Sequence, residues 1–271
     1  MSTHMDSADS TGDAAADWRS WHEQRTETVS APYGPLALTG THWLDDAVEG
    51  LIPAVAGHWE VAGDEVLLTA SAEDGLTVDG EPFAGRVALT ADRAPAGSAR
   101  VAQGERRLVV LRREGLWAVR VWDPRSGPRQ AFAGIEAGPY DESWVLRGLF
   151  RPYAERRDVR VPNADGRDRG LALAGELAFL LEGDEYTLQV AAEEDGSLWA
   201  VFADATSGTS SYRFRFLRPP APASDGTVSV DFNRALLPPC AFAEHFICPF
   251  PPPGNTLPVA ITAGERSVAR R

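Results

Sequence analysis

The two cysteines of the chain, Cys240 and Cys248, bracket His245, and three chemistries compete for this cluster. A metal site would use all three as soft ligands, with a fourth from Asp231 or a distant histidine. Zinc takes four ligands, and the close cysteine pairs typical of its sites are absent, so this is the weakest reading. A disulfide would staple a short loop and stabilise the fold by ~2–3 kcal/mol on the chain-entropy model, although a reducing compartment disfavours it. Reduced thiols packed among phenylalanines are the third reading. His245 is also a candidate general base, because imidazole titrates near neutrality and Glu244 or Asp231 stands available as its partner acid. His4, His22, His42 and His58 show no ligand spacing. Ser207 lies outside any Gly-x-Ser-x-Gly elbow, so a serine nucleophile is not indicated. Asp204 and Thr206 read most simply as caps of a turn. Asp231, Asn233 and Arg234 combine an ion pair with an amide, a set that suits either ligand orientation or the ordering of a loop.

These residues sit in a segment unlike the rest. Prolines crowd at Pro238, Pro239, Pro249, Pro251, Pro252, Pro253 and Pro258, and each removes a ladder donor, so central strands are excluded. Phe232, Phe242, Phe246 and Phe250 are interleaved with them, so a solvated linker is excluded too. The expectation is an ordered, irregular clamp held against the body of the protein, the kind of long loop that often carries function.

The run Asp231-Phe232-Asn233-Arg234-Ala235, with Pro238-Pro239-Cys240-Ala241, Cys248-Pro249, Pro251-Pro252, Asn255, Leu257 and Ala263-Gly264-Glu265, resembles the C-terminal signature of the domain-of-unknown-function 1684 family. Asp204–Gly208 followed by Tyr212 and Arg215 is similar to that family's preceding motif. Trp21, Arg25, Leu36–Gly40 and Trp43-Leu44 resemble its N-terminal motif, and Arg120–Asp123 a central one. The resemblance spans roughly residues 18–266. Two departures stand out: Leu236-Leu237 replaces a usual Tyr-Asn pair, and Ser210-Ser211 replaces Glu-Thr. The family brings no established activity with it, so the resemblance implies kinship and no reaction.

The elements that must position these residues are short strands. Turn pairs Gly63-Asp64, Asp79-Gly80, Glu114-Gly115, Gly183-Asp184, Asp195-Gly196 and Asp225-Gly226 separate runs rich in Val, Leu, Phe and Trp. Two-residue turns join antiparallel strands only. No strand–helix alternation appears, which argues against a doubly wound nucleotide fold. One helix is expected from Trp18, Trp21, Arg25 and Val29, capped by Asp17 and stopped by Pro32. The fold class is therefore mostly β: an antiparallel β-sandwich or barrel-like meander with one N-terminal helix and a proline-rich C-terminal clamp. Residues 1–17 read as a disordered acidic tail, 18–267 as a single domain with a soft internal boundary near 123–143, and 268–271 as a short tail.

Composition narrows the function. Hydrophobic residues make up 44% of the 271, enough for a sizeable core. No run of apolar residues is long enough for a membrane helix, and no secretion signal opens the chain, so the expected location is cytoplasmic. With 39 acidic and 26 basic residues, all of the latter arginine, the formal charge is −13, which opposes binding to a phosphate backbone. No glycine-rich phosphate loop is present, and no cofactor is expected. The reading is a small polar ligand held in a pocket roofed by 231–255, with Asp204, Ser207, Tyr212, Asp231, Asn233, Arg234, Asn255 and Glu265 as candidate contacts. A hydrolytic or acid–base reaction would use Asp231 or His245. The alternatives are a protein–protein interaction module and a non-catalytic β scaffold, and burial of Phe242, Phe246 and Phe250 discriminates clamp from docking surface.

Overall fold

The computed structural model describes residues 7–271. The chain forms two compact units, one of residues 7–27 with Ala133–Arg271 and the other Thr28–Phe132. One break falls between Phe132 and Ala133. The other falls within a helix, α1 (Ser7–Ser30). This helix starts well before Asp17, because Ala14, Ala15 and Ala16 are strong helix formers and extend it backwards. Residues 7–17 are therefore helical where a disordered tail was expected, and residues 1–6 lie outside the described residues. The helix ends ahead of Pro32, whose ring blocks a further turn.

The smaller unit holds β1 (Leu38–Trp43), β2 (Leu51–Ile52), β3 (Val55–Ala62), β4 (Glu65–Ala70), β5 (Leu76–Val78), β6 (Glu81–Pro82), β7 (Gly85–Leu89), β8 (Val101–Gln103), β9 (Arg106–Arg113), β10 (Leu116–Trp122) and the short α2 (Gly127–Ala131). One sheet runs β1-β10-β9-β8-β5-β6 and another β2-β3-β4-β7. Every ladder in them is antiparallel. Asp79 and Gly80 both take positive φ, at 53° and 90°, as a tight hairpin turn requires. The core of this unit gathers Trp59, Val66, Leu68, Leu108, Trp117 and Val119.

The larger unit holds β11 (Phe132–Ala137), which begins at the boundary, then β12 (Val145–Pro162), β13 (Asp168–Leu181), β14 (Asp184–Ala192), β15 (Leu198–Phe202), β16 (Arg215–Leu217), β17 (Thr227–Asp231) and β18 (Glu265–Arg270). Its main sheet runs β16-β15-β14-β13-β12-β17, and β11 pairs with β18. The strand β18 runs on from the expected domain into residues 268–270 of the stretch read as a terminal tail. The hairpin between β13 and β14 turns at Glu182-Gly183, where φ is 55° and 97°, one residue ahead of the pair suggested by the sequence. Inward positions Leu177, Phe179, Leu188, Val190, Leu198, Phe202, Val230 and Phe232 form the core. The proline-rich segment then crosses this unit as irregular chain, tied down by backbone hydrogen bonds. Ala164 N–H donates to the Cys248 carbonyl at 2.9 Å, Phe250 N–H to Pro162 at 2.9 Å, and Ala203 N–H to Asn255 at 2.9 Å. Among the described residues, no helix is long and apolar enough to cross a membrane.

The return of the chain into β18 depends on Gly264, whose φ is +77° and whose missing Cβ would stand 2.7 Å from the Phe232 carbonyl oxygen. Left-handed backbone and a hard neighbour together leave room for glycine alone. Gly264→Ala is expected to destabilise the protein by more than about 1 kcal/mol, read as a lower midpoint in denaturant unfolding.

Candidate functional site

The segment Phe202–Phe216 carries the most demanding electrostatics in the larger unit. Arg215 is fully buried, and its guanidinium donates to Asp204 Oδ2 at 2.7 Å. It also donates to the carbonyls of Ile261 at 2.7 Å, Ala263 at 2.6 Å and Glu265 at 3.3 Å. The group stands over the Phe202 ring, 5.3 Å from its centroid. Asp204 Oδ1 accepts from Thr206 N–H at 2.8 Å, Thr206 Oγ1 at 2.6 Å and Ile261 N–H at 3.3 Å. Burial pushes the Asp204 carboxyl up. The Arg215 charge and the hydrogen bonds from Thr206 and Arg215 outweigh that and hold it below the ordinary 3.8.

Glu265 extends the network. Its buried carboxylate accepts from Leu237 N–H at 2.7 Å and from Arg25 Nε at 3.2 Å, and Arg25 also donates to the Leu237 carbonyl at 3.1 Å. Here burial wins: it raises the Glu265 pKa despite the Arg25 charge. Asn255, also buried, donates to the carbonyls of Gln189 and Val201, both at 2.9 Å, and accepts from Gln189 N–H at 2.8 Å. Asn233 exchanges two hydrogen bonds with the backbone of Asp141, each at 3.0 Å, and its carbonyl accepts from Trp18 Nε1 at 2.8 Å. Asp231 Oδ1 accepts from the N–H and the side-chain amide of Asn233 at 3.0 and 2.9 Å, while Arg234 Nε lies 3.4 Å from Oδ2. Arg234 also pairs with Asp17. Ser207 Oγ accepts from Asp204 N–H at 3.0 Å.

These bonds tie the candidate residues to backbone and to one another. Asp204, Asn255 and Glu265 are buried inside the protein, and Asp231 and Asn233 brace the turn that follows β17. The fully buried Asp–Arg pair is Asp204–Arg215, which holds the backbone of Ile261–Glu265, whereas the Asp231–Arg234 pair is half-buried. Arg215 was visible in sequence only as part of a motif, because its partner lies eleven positions upstream and no local spacing announces the pair.

Residues 130–266 match the family model described as Protein of unknown function (DUF1684). The chain belongs to this family. The matched residues carry Asp204, Arg215, Asn233, Cys240, Cys248, Asn255 and Glu265, while Arg25 and the resemblance around Leu36–Leu44 lie outside them. Among solved structures, the chain is similar to an uncharacterized protein of Haloarcula marismortui determined in solution by NMR. Identity is 32%, the match covers 50% of this chain and 77% of that one, and the TM-score is 0.42. No curated protein matches. At the two departures from the family pattern, Leu237 is buried and meets Glu265 through its backbone N–H, and Ser211 Oγ lies 2.7 Å from Thr206 Oγ1.

The cysteines of this DUF1684 protein are buried and not joined in a disulfide. Cys240 N–H donates to Cys248 Sγ at 3.3 Å. Tyr212 O–H reaches the Cys240 carbonyl at 3.3 Å and its Sγ at 3.6 Å. The pair packs with Val201, Phe214 and Phe216, against which Phe246 and Phe250 also lie. His245 and Glu244 are exposed. Among the described residues, no group of three or more His, Cys, Asp and Glu is arranged to hold a metal ion, so Cys240, His245 and Cys248 do not form the ligand set that their order in sequence leaves open.

Removing the Arg215 side chain strands a buried carboxylate and three carbonyls. Arg215→Ala is expected to destabilise by about 3–5 kcal/mol, measured by denaturant unfolding at neutral pH. Because the folded pKa of Asp204 is depressed, its contribution is present above 3.8 and lost as pH falls below it. The penalty for Asp204→Asn should therefore shrink toward zero through that acid range.

Proposed function

We propose that the protein binds a small anionic ligand on the outer face of the larger unit's main sheet, and not beneath the proline-rich clamp. The carrying observation is a pair of adjoining cavities, of about 420 and 270 Å³, that share Arg147 and Thr227. The first is lined by Val145, Arg147, Thr227 and Ser229, the second by Arg147, Leu149, Arg151, Leu180 and Glu185. Both are open, shallow depressions; the first has the volume of a small-molecule site, and the two together offer apolar walls with few polar groups.

The register supports this reading. Arg147 lies opposite Ser229 and Leu149 opposite Thr227 across β12 and β17, so their side chains share one face. Two hydroxyls and two guanidinium groups thus line an apolar floor that includes Leu180, 61% exposed. Arg151 is held by Glu185 at 3.2 Å. The charge of Arg147 is felt by Asp225. With Arg151 paired to Glu185, Arg147 is the cation left to meet a ligand, and its place beside this apolar floor suits a carboxylate or phosphate with a short apolar body.

The clamp carries less support as a ligand roof, since Asp204, Asn233, Asn255 and Glu265 already bond within the protein. It carries less as a docking segment too: Phe242 is fully buried, and Phe246 and Phe250 are partly buried against the thiol cluster.

Titration calorimetry with a panel of small carboxylates and phosphate monoesters tests the reading. At least one ligand should bind, and Arg147→Ala should weaken it about tenfold or more, the loss of a charge-assisted hydrogen bond. Asn233→Ala should lower stability and leave that affinity unchanged. Binding that survives Arg147→Ala and falls with Asn233→Ala would return the site to the clamp.

A further inference from the structure

We propose that Cys240 and Cys248 form a reactive dithiol that reduces small hydroperoxides, with Cys240 attacking and Cys248 resolving the product into an intrachain disulfide. The geometry that points to this is specific to the pair. The sulfur of Cys248 lies 3.3 Å from the amide nitrogen of Cys240, and the Tyr212 hydroxyl lies 3.6 Å from the sulfur of Cys240. The guanidinium of Arg213 stands over Phe250 at 4.6 Å, with the rings of Tyr212 and Phe214 at 5.6 and 5.7 Å. This places a fixed positive charge beside the thiol pair.

A buried thiol in an apolar cage is normally inert, because burial disfavours the thiolate. Here its neighbours overcome burial. The hydrogen bond from the Cys248 thiol contributes most, and Tyr212 and Arg213 add to it, so that Cys240 is pulled down to about 7. Tyr212, held up at about 12, stays protonated and remains a donor to the thiolate. Each cysteine is 6% exposed, so limited access favours a small oxidant such as hydrogen peroxide over a bulky disulfide.

The chemistry closes without a further reactant. The Cys240 thiolate attacks one peroxide oxygen; an S–O bond forms, the O–O bond breaks, and hydroxide leaves to become water. Cys248, giving up its proton, then attacks the sulfenic sulfur. An S–S bond forms, the S–O bond breaks, and the departing hydroxide takes that proton as a second water. Two thiols lose two electrons, and one peroxide gains them.

The folded, reduced full chain should be exposed to hydrogen peroxide at pH 7 and followed by intact-mass and peptide mass spectrometry. The expected product is short by two hydrogens, with Cys240 and Cys248 in one cross-linked species. It should form about tenfold faster than glutathione is oxidised, on thiolate fraction alone, and revert with dithiothreitol. Cys248→Ser, folded by circular dichroism, should stop at a sulfenic acid on Cys240 that dimedone traps. Tyr212→Phe should slow the first step. Oxidation no faster than glutathione in the folded wild type, or cross-linking only after denaturation, would overturn the proposal, and the wild-type measurement decides it even if a variant misfolds.

Discussion

A buried guanidinium needs acceptors for its donors, and the two terminal nitrogens of Arg215 find them in four places. That requirement shapes the larger unit more than any other. The carboxylate of Asp204 neutralises the charge, and the carbonyls of Ile261, Ala263 and Glu265 take up both terminal nitrogens; Ile261 and Ala263 come from a segment with no regular structure to define its path. An irregular chain is thereby fixed at the end of the β15–β16 hairpin. Once Glu265 is in place, its own buried carboxylate requires partners, which Arg25 and the Leu237 N–H supply. One buried cation thus propagates through a second ion pair to the helix and to the start of the clamp.

Such a network is a poor source of net stability, since burying the charges costs several kcal/mol for each ion before any pairing returns it. Its effect is selective. Seven prolines between Pro238 and Pro258 leave few backbone donors with which to register the clamp against a sheet. Aromatic burial alone would permit several packings of Phe232, Phe242, Phe246 and Phe250. A path that misplaces Ile261–Glu265 strands Arg215, and one that misplaces Leu237 strands Glu265. The polar network excludes the packings that the apolar contacts would tolerate.

This division explains what the sequence made legible. Hairpins were readable because Asp79-Gly80 and Glu114-Gly115 encode positive φ locally. The mostly β, antiparallel class followed from them. β12 was not readable: Val145–Pro162 is rich in arginine, carries Pro152, and shifts register between Pro152 and Arg157, so it lacks the alternation of a half-buried strand. The candidate site divided in the same way. The residue types that mark Asp204, Asn233, Asn255 and Glu265 as polar groups in an apolar segment are correct, but type does not say whether the partner is a ligand or a distant backbone carbonyl. Only the fold supplies Gln189 for Asn255 and Asp141 for Asn233.

The five residues Tyr212-Arg213-Phe214-Arg215-Phe216 show how structure and chemistry are linked here. Phe214, Arg215 and Phe216 are buried, while Arg213 is exposed over Phe250. The inward arginine anchors the clamp, and the outward one lends its charge to Cys240. The clamp carries both cysteines, and Phe214 and Phe216, which flank Arg215, pack in one cluster with them. An inert packing role would ask only for small apolar groups at 240 and 248. The hydroxyl of Tyr212 and the charge of Arg213 add donors that packing does not need, and they act on the sulfur whose acidity they increase.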